Sequence, residues 1–148
     1  MANTKTKERP SLALVRKLDA APAKVWRALT EPGMLKRWMA PDAAFKIPVA
    51  EIDLRVGGRY RIVMVSPDGE EHDVRGVYRE IVPNKKLVHT WAWKSTPERE
   101  SLVTMELRAA GSGTELTLTH EHFADEQARD KHQHGWTGCL AGLGRFLA

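Results

Sequence analysis

The sequence has 148 residues, of which 42% are hydrophobic and 28% charged, and it contains a single cysteine. This length is sufficient for one stable domain with its own core, and one cysteine excludes an internal disulfide and a cysteine-based zinc site. With no apolar run long enough to span a membrane and no apolar segment typical of a secretory signal near the N-terminus, the composition indicates a cytoplasmic protein.

The net charge of +4 is divided between a short leader and the rest of the chain. Residues 1–10 carry three basic side chains and one acidic side chain, whereas residues 11–148 carry 20 basic and 18 acidic ones. A body with nearly balanced charge argues against a nucleic-acid partner. We therefore predict a disordered leader over 1–10, because it is polar and lacks periodicity, and a single domain over 11–148.

The first third of the chain predicts one strand and two short helices. Apolar and polar residues alternate over 11–19, which indicates a strand. Pro22 is suited to the first turn of a helix, and Pro32 ends that helix. A second short apolar face over 34–39 predicts another helix.

The middle of the chain alternates with period two and is divided by turn residues, which predicts an antiparallel meander. Pro48 cannot donate to a strand ladder, so its strand is expected at a sheet edge. Helical spacing returns at Asp125 and predicts one long helix to the end of the sequence. The six strands of the meander are predicted at 45–54, 59–66, 71–81, 86–94, 101–109 and 114–122.

The parity of the strands separates an outer face from an inner one. One parity carries Arg59, Arg61, Arg75 and Arg79, which indicates a solvated face or a surface for an acidic protein partner. Neither face of the strand over 86–94 is polar, and we favour the inner side for Leu87, His89, Trp91 and Trp93. Arg16 has the parity of the core, where it would need a carboxylate or an anionic ligand group.

Several motifs, in this order along the chain, resemble one bacterial family. They include Ala21-Pro22-Ala23-Lys24-Val25-Trp26, Leu29-Thr30-Glu31-Pro32, Asp53-Leu54-Arg55-Val56-Gly57-Gly58, Gly76-Val77-Tyr78-Arg79-Glu80-Ile81 and His132-Gln133-His134-Gly135-Trp136. The family is the one similar to the activator of Hsp90 ATPase, in the START/Bet v 1-like (SRPBCC) superfamily. The resemblance implies an α+β helix-grip fold. In it a curved seven-stranded antiparallel sheet wraps a long C-terminal helix, and two short helices lie between strands 1 and 2.

The leading functional hypothesis is binding of a small hydrophobic or aromatic ligand between the sheet and the C-terminal helix. It rests on the inner parity of large aromatic residues and on glycines within that helix. These glycines cost helix stability, and they either leave volume beneath the helix or let it pack closely against the sheet. No cofactor is predicted. The predicted cavity lining is Trp38, Tyr60, Met64, Tyr78, His89, Trp91, Met105, His120, Trp136 and Leu140.

Two other classes of function stay open, because this superfamily hosts lipid carriers, ligand binders, polyketide cyclases and co-chaperone domains. One is a chaperone-linked interaction module that uses the basic outer face. The other is a cofactor-independent cyclase or hydratase-like enzyme, with His89 or His120 as the acid–base group. The histidines follow no metal-binding motif, so no metal site is predicted, and Cys139 is expected to be a buried, inert thiol. A monomer and a homodimer are both compatible with the sequence.

Overall fold

The computed structural model describes residues 9–148, and residues 1–8 of the predicted leader lie outside the described residues. The architecture is α+β, with seven strands and three helices in the described part of the chain. The elements are β1 (Leu12–Leu18), α1 (Pro22–Thr30), α2 (Pro32–Leu35), β2 (Lys46–Ile52), β3 (Arg59–Val65), β4 (Glu71–Val82), β5 (Lys86–Trp93), β6 (Ser101–Ala110), β7 (Gly113–Glu121) and α3 (Glu126–Leu147).

One antiparallel sheet contains all seven strands, in the order β1-β7-β6-β5-β4-β3-β2. The meander from β2 to β7 pairs each strand with the next, and β1 joins β7 with Leu12 opposite His120. The edge position predicted from Pro48 is confirmed, since β2 ends the sheet and its register shifts between Lys46 and Val49. The helix-grip fold implied by the sequence is therefore the observed one.

The first short helix begins at Pro22, as predicted, whereas the second begins at Pro32, which the sequence indicated only as the end of α1. Pro22 and Pro32 occupy the first turns of α1 and α2, where a missing backbone N–H costs nothing. The second helix is shorter than the predicted span of 34–39 and ends at Leu35. Beyond it the chain turns, and the indole of Trp38 donates to the Ala28 carbonyl at 2.9 Å. This bond ties the segment after α2 to α1.

The long helix α3 begins at Glu126 and is capped by Asp125, whose carboxylate accepts from the Ala128 N–H at 2.8 Å. Its buried stripe faces the sheet and consists of Trp136, Cys139, Leu140, Leu143 and Leu147. No helix in residues 9–148 has the length and apolar character needed to cross a membrane.

The two sheet faces have the polarity that strand parity predicts. Tyr60, Ile62 and Met64 are buried on the side of α3, and so are Leu87, His89 and Trp91 on β5. On the outer side, Arg61 and Arg75 both pair with the carboxylate of Asp73, at 3.0 Å and 3.2 Å. These two arginines of the outer face are thus partly neutralised by the carboxylate between them.

Arg16 does not have the buried partner that its parity suggested. Its guanidinium donates to the neighbouring Val15 carbonyl at 2.8 Å, at an exposed position. Within residues 9–148, no ion pair to a carboxylate is formed by Arg16. Arg16 is half-buried, and its guanidinium binds a carbonyl of its own strand instead of a carboxylate.

Candidate functional site

A cavity of about 360 Å³, partly open to solvent, lies between the first half of α3 and the inner face of β3, β4 and β5. The chain segment that follows α2 closes one end of it. The lining residues are Met39, Pro41, Phe45, Met64, His72, Trp91, Trp93, Lys131, His132, Gly135, Trp136 and Cys139.

Three indoles form the wall of this cavity. Trp91 and Trp93 lie two residues apart on β5, so their side chains share the inner face, and their ring centroids are 5.5 Å apart in an edge-to-face arrangement. Trp136 reaches the same wall from α3, with its ring centroid 5.0 Å from that of Trp91. The spacing is that of favourable aromatic pairs. Together these residues present a continuous aromatic surface.

His132 connects the rim of β5 to α3. The Trp93 indole N–H donates to Nε2 of His132 at 2.9 Å, and Nδ1 of His132 lies 2.7 Å from the Ala128 carbonyl. Because an indole N–H only donates, Nε2 must accept and the proton is on Nδ1. Burial lowers the pKa of His132, which keeps the ring neutral in this bridge.

His120 lies behind the aromatic wall at the centre of a second chain of hydrogen bonds. Its Nδ1 accepts from the Trp136 indole at 2.9 Å, and its Nε2 lies 2.7 Å from the hydroxyl of Ser101. Ser101 in turn donates to the Trp91 carbonyl at 3.1 Å. Burial, with smaller contributions from His132 and His89, lowers the pKa of His120 to about 2. Both ring nitrogens are therefore engaged in holding the wall together.

The indole nitrogen of Trp91 has a different environment. It is buried, and no hydrogen-bond acceptor lies within reach of it among residues 9–148. A buried donor without an acceptor is uncommon and costs stability. Trp91 is therefore the one indole of the wall whose N–H contributes nothing to the hydrogen bonding around it.

Five of the ten residues predicted to line a ligand cavity surround only a small void. Trp38, Tyr60, Tyr78, His89 and Met105 surround a space of about 20 Å³, which is room for about one water molecule. Nδ1 of His89 lies 3.1 Å from the Tyr60 hydroxyl, and burial lowers the pKa of His89 to about 4. These side chains pack against one another as core.

Two further predicted residues line none of the cavities described in residues 9–148. His120 and Leu140 are fully buried, His120 in its hydrogen-bond chain and Leu140 in the apolar stripe of α3. Of the ten predicted lining residues, the large cavity brings together Met64, Trp91 and Trp136. The two acid–base candidates, His89 and His120, do not border it.

The cavity also contains residues that sequence reasoning did not include. Trp93 is predicted on the inner face and Cys139 is predicted to be buried, and both residues lie in the cavity wall. Pro41 and Phe45 lie in the loop between α2 and β2, and no local pattern indicates where that loop crosses the sheet. In residues 9–148 no group of three histidine, cysteine or carboxylate side chains is arranged to hold a metal ion.

Two glycines of α3, Gly135 and Gly138, have different roles at the cavity. A Cβ added at Gly135 would meet no atom within 4 Å, so this glycine borders open space on the cavity wall. A Cβ added at Gly138 would lie 2.0 Å from the Pro41 carbonyl oxygen. Gly138 therefore lets α3 approach the loop that closes the cavity, whereas Gly135 contributes volume.

Comparison with known proteins places the chain among relatives of the same fold. Residues 19–148 match the family model of Activator of Hsp90 ATPase homolog 1-like proteins. No match was found among curated proteins. One similar solved structure, from Chromobacterium violaceum, has 28% identity and a TM-score of 0.84, covering 93% of this chain and 96% of that chain. Another, the AHSA1 protein from Silicibacter pomeroyi, has 26% identity and a TM-score of 0.79, covering 92% and 96%. A third, from Rhizobium leguminosarum, has 28% identity and a TM-score of 0.78, covering 95% of each chain.

Proposed function

The chain belongs to the family of Activator of Hsp90 ATPase homolog 1-like proteins, whose fold commonly binds hydrophobic ligands, and we propose that it binds a small hydrophobic or aromatic molecule in the cavity beneath α3. The observation that carries this proposal is the cavity itself. Its volume of about 360 Å³ falls in the usual range of small-molecule sites, roughly 300–1,000 Å³. Its wall is almost entirely carbon and sulfur.

The ligand sits, in this proposal, against the indoles of Trp91 and Trp136, with Met39, Met64 and Cys139 at its deeper edge. These five side chains are buried around the cavity. Removing the apolar surface of a ligand from water provides the main driving force, about 25 cal/mol per Å². The aromatic wall adds contacts that favour a flat ring.

A protein-interaction role on the outer sheet face has weaker support. Arg61 and Arg75 share Asp73, and Arg79 lies 3.8 Å from Glu100. Three of the four arginines of this face therefore have a carboxylate beside them, while Arg59 forms no ion pair within residues 9–148. Paired cations attract an acidic partner less strongly than bare cations would. Binding to a chaperone stays a prediction of the family resemblance.

The direct test is binding of a neutral aromatic probe, 2-naphthamide, to the purified full chain by titration calorimetry. Gly135→Phe would fill the cavity from α3 without a clash at Cβ, and we expect it to weaken binding at least tenfold. Gly33→Phe is the matched control, because Gly33 also has open space around a Cβ but does not line the cavity. Equal affinity in the wild type and Gly135→Phe would contradict the proposed site.

Native mass spectrometry of the freshly purified chain provides an independent measurement. A retained small molecule that is lost in Gly135→Phe and kept in Gly33→Phe would support occupancy of the cavity.

A further inference from the structure

The interior of the cavity has almost no hydrogen-bonding capacity left for a ligand. The indole N–H groups of Trp93 and Trp136 already donate to His132 and His120, and both nitrogens of His132 are engaged. The remaining indole, that of Trp91, is shielded from solvent. A polar group placed deep in this space would lose its hydrogen bonds to water and gain no partner, which opposes binding. The polar group of any ligand therefore belongs at the mouth.

Among residues 9–148, one charged residue lines the mouth of the cavity. Lys131 is exposed on α3, at the edge of the cavity, and no carboxylate lines the cavity within residues 9–148. Within that part of the chain Lys131 forms no ion pair, while the neighbouring Asp130 is taken by Arg129 at 2.9 Å. An ammonium without a carboxylate partner at an apolar opening favours an anionic group there and disfavours a cationic one.

The second polar residue of the rim is His72. Its Nε2 lies 3.3 Å from the Ser66 hydroxyl and 3.8 Å from the carboxylate of Glu70, which lies outside the lining. His72 packs between Phe45 and Trp93, with ring centroids 5.8 Å and 6.5 Å away. Its ring adds to the aromatic surface of the same cavity that Lys131 borders.

From this arrangement, and resting on the proposed function, we propose that the cavity selects aromatic monocarboxylates, with the ring against Trp91 and Trp136 and the carboxylate beside Lys131. The apolar wall accounts for the ring, and the ammonium at the mouth accounts for the anion. An ion pair at an exposed mouth is weak and screened by salt, so selectivity of about three- to fivefold is expected at low ionic strength.

Three probes of nearly identical shape test this charge preference: 2-naphthoate, 2-naphthamide and 2-naphthamidine, which are anionic, neutral and cationic at pH 7.5. We expect affinity to fall in that order for the wild type, by about three- to fivefold per step, and the differences to shrink as salt is raised. Lys131→Glu should reverse the order. Lys24→Glu, on α1 and away from the lining, makes the same change in net charge and should preserve it.

The outcomes separate this inference from the proposed function. If all three probes bind the wild type with equal affinity, or in another order, the inference is overturned and the cavity remains a ligand site. The same holds if Lys131→Glu and Lys24→Glu change the order alike. If none of the three probes binds, the proposed function fails, and the inference fails with it.

Discussion

Trp136 donates its indole N–H to Nδ1 of His120 at 2.9 Å, and this bond joins the C-terminal helix to the last strand of the sheet in the interior of the protein. Both residues are buried, with His120 fully inaccessible. The neighbouring Trp91 has an equally buried indole N–H without an acceptor in residues 9–148. Two adjacent tryptophans thus differ in a single hydrogen bond.

That difference predicts unequal effects of the same substitution. Trp136→Phe leaves Nδ1 of His120 without its donor, and an unpaired buried acceptor costs about 1–3 kcal/mol beyond the lost packing. Trp91→Phe removes the same atoms together with a donor that had no partner, so only packing is lost. We expect Trp136→Phe to lower the free energy of unfolding more, as measured by urea denaturation. Equal losses, or a larger loss for Trp91→Phe, would contradict the hydrogen-bond assignment.

The buried histidines predict how stability depends on pH. Burial lowers the folded-state pKa of His120 to about 2 and that of His89 to about 4, whereas both are near 6.5 in the unfolded chain. The unfolded state therefore binds more protons below pH 6.5. Stability should fall as the pH falls through 6.5 toward 4, with a slope approaching about 1.4 kcal/mol per pH unit for each such histidine.

Urea denaturation between pH 7 and pH 5 measures this slope, above the range in which carboxylates titrate. The amide of His120→Gln can accept and donate hydrogen bonds but does not titrate. This variant should therefore reduce the slope at pH 5 by nearly the contribution of one proton, about 1.4 kcal/mol per pH unit. His122→Gln is the control, since the His122 side chain is 47% exposed. An unchanged slope in His120→Gln would show that His120 is protonated in the folded state as well.

Alanine substitutions at Gly135 and Gly138 of α3 should change the free energy of unfolding in opposite directions. Gly135→Ala places a methyl group in open space and removes the conformational cost of glycine, which should raise the free energy of unfolding by up to about 1 kcal/mol. Gly138→Ala places a methyl group 2.0 Å from the Pro41 carbonyl oxygen, so α3 or the loop must move. A loss of about 1–3 kcal/mol is expected. Thermal unfolding of the two variants compares them directly, and stabilisation by both would exclude the close approach.

The sequence predicted which side of each strand is buried, but it did not predict where space would remain. Parity is a local property, so the inner position of Met64 followed from the arginines of opposite parity on its strand, whereas the strand of Trp91 has no polar face to decide its side. Whether an inner side chain borders a cavity depends on distances between elements far apart in sequence. Tyr60 fills the interior because Gly76, opposite it on β4, has no side chain, and its hydroxyl donates to the Thr90 carbonyl on β5. No pattern within either strand indicates that contact.

In the same region the β4–β5 ladder is irregular, and the side chain of Thr90 supplies a hydrogen-bond acceptor there. The register is unchanged from Arg75 opposite Ala92 to Tyr78 opposite His89, but the two positions between them form no regular ladder pairs, and the register shifts just beyond, between Tyr78 and Glu80. Inside this gap the Val77 N–H donates to the side-chain hydroxyl of Thr90 at 2.8 Å, while the Thr90 carbonyl accepts from Tyr60. The buried hydroxyl of Thr90 thus replaces the carbonyl as the acceptor for a backbone N–H.

Thr90→Val keeps the shape of this side chain and removes the acceptor, which leaves the Val77 N–H unpaired inside the sheet. We expect a loss of about 1–3 kcal/mol in the free energy of unfolding. Thr90→Ser keeps the hydroxyl and loses only a methyl group, so its cost should be smaller, on the order of 1 kcal/mol. Hydrogen exchange provides the local readout, because the Val77 amide should exchange faster in Thr90→Val and remain protected in Thr90→Ser. If valine is tolerated as well as serine and the Val77 amide stays protected, then the hydroxyl is not the acceptor that closes the gap between β4 and β5.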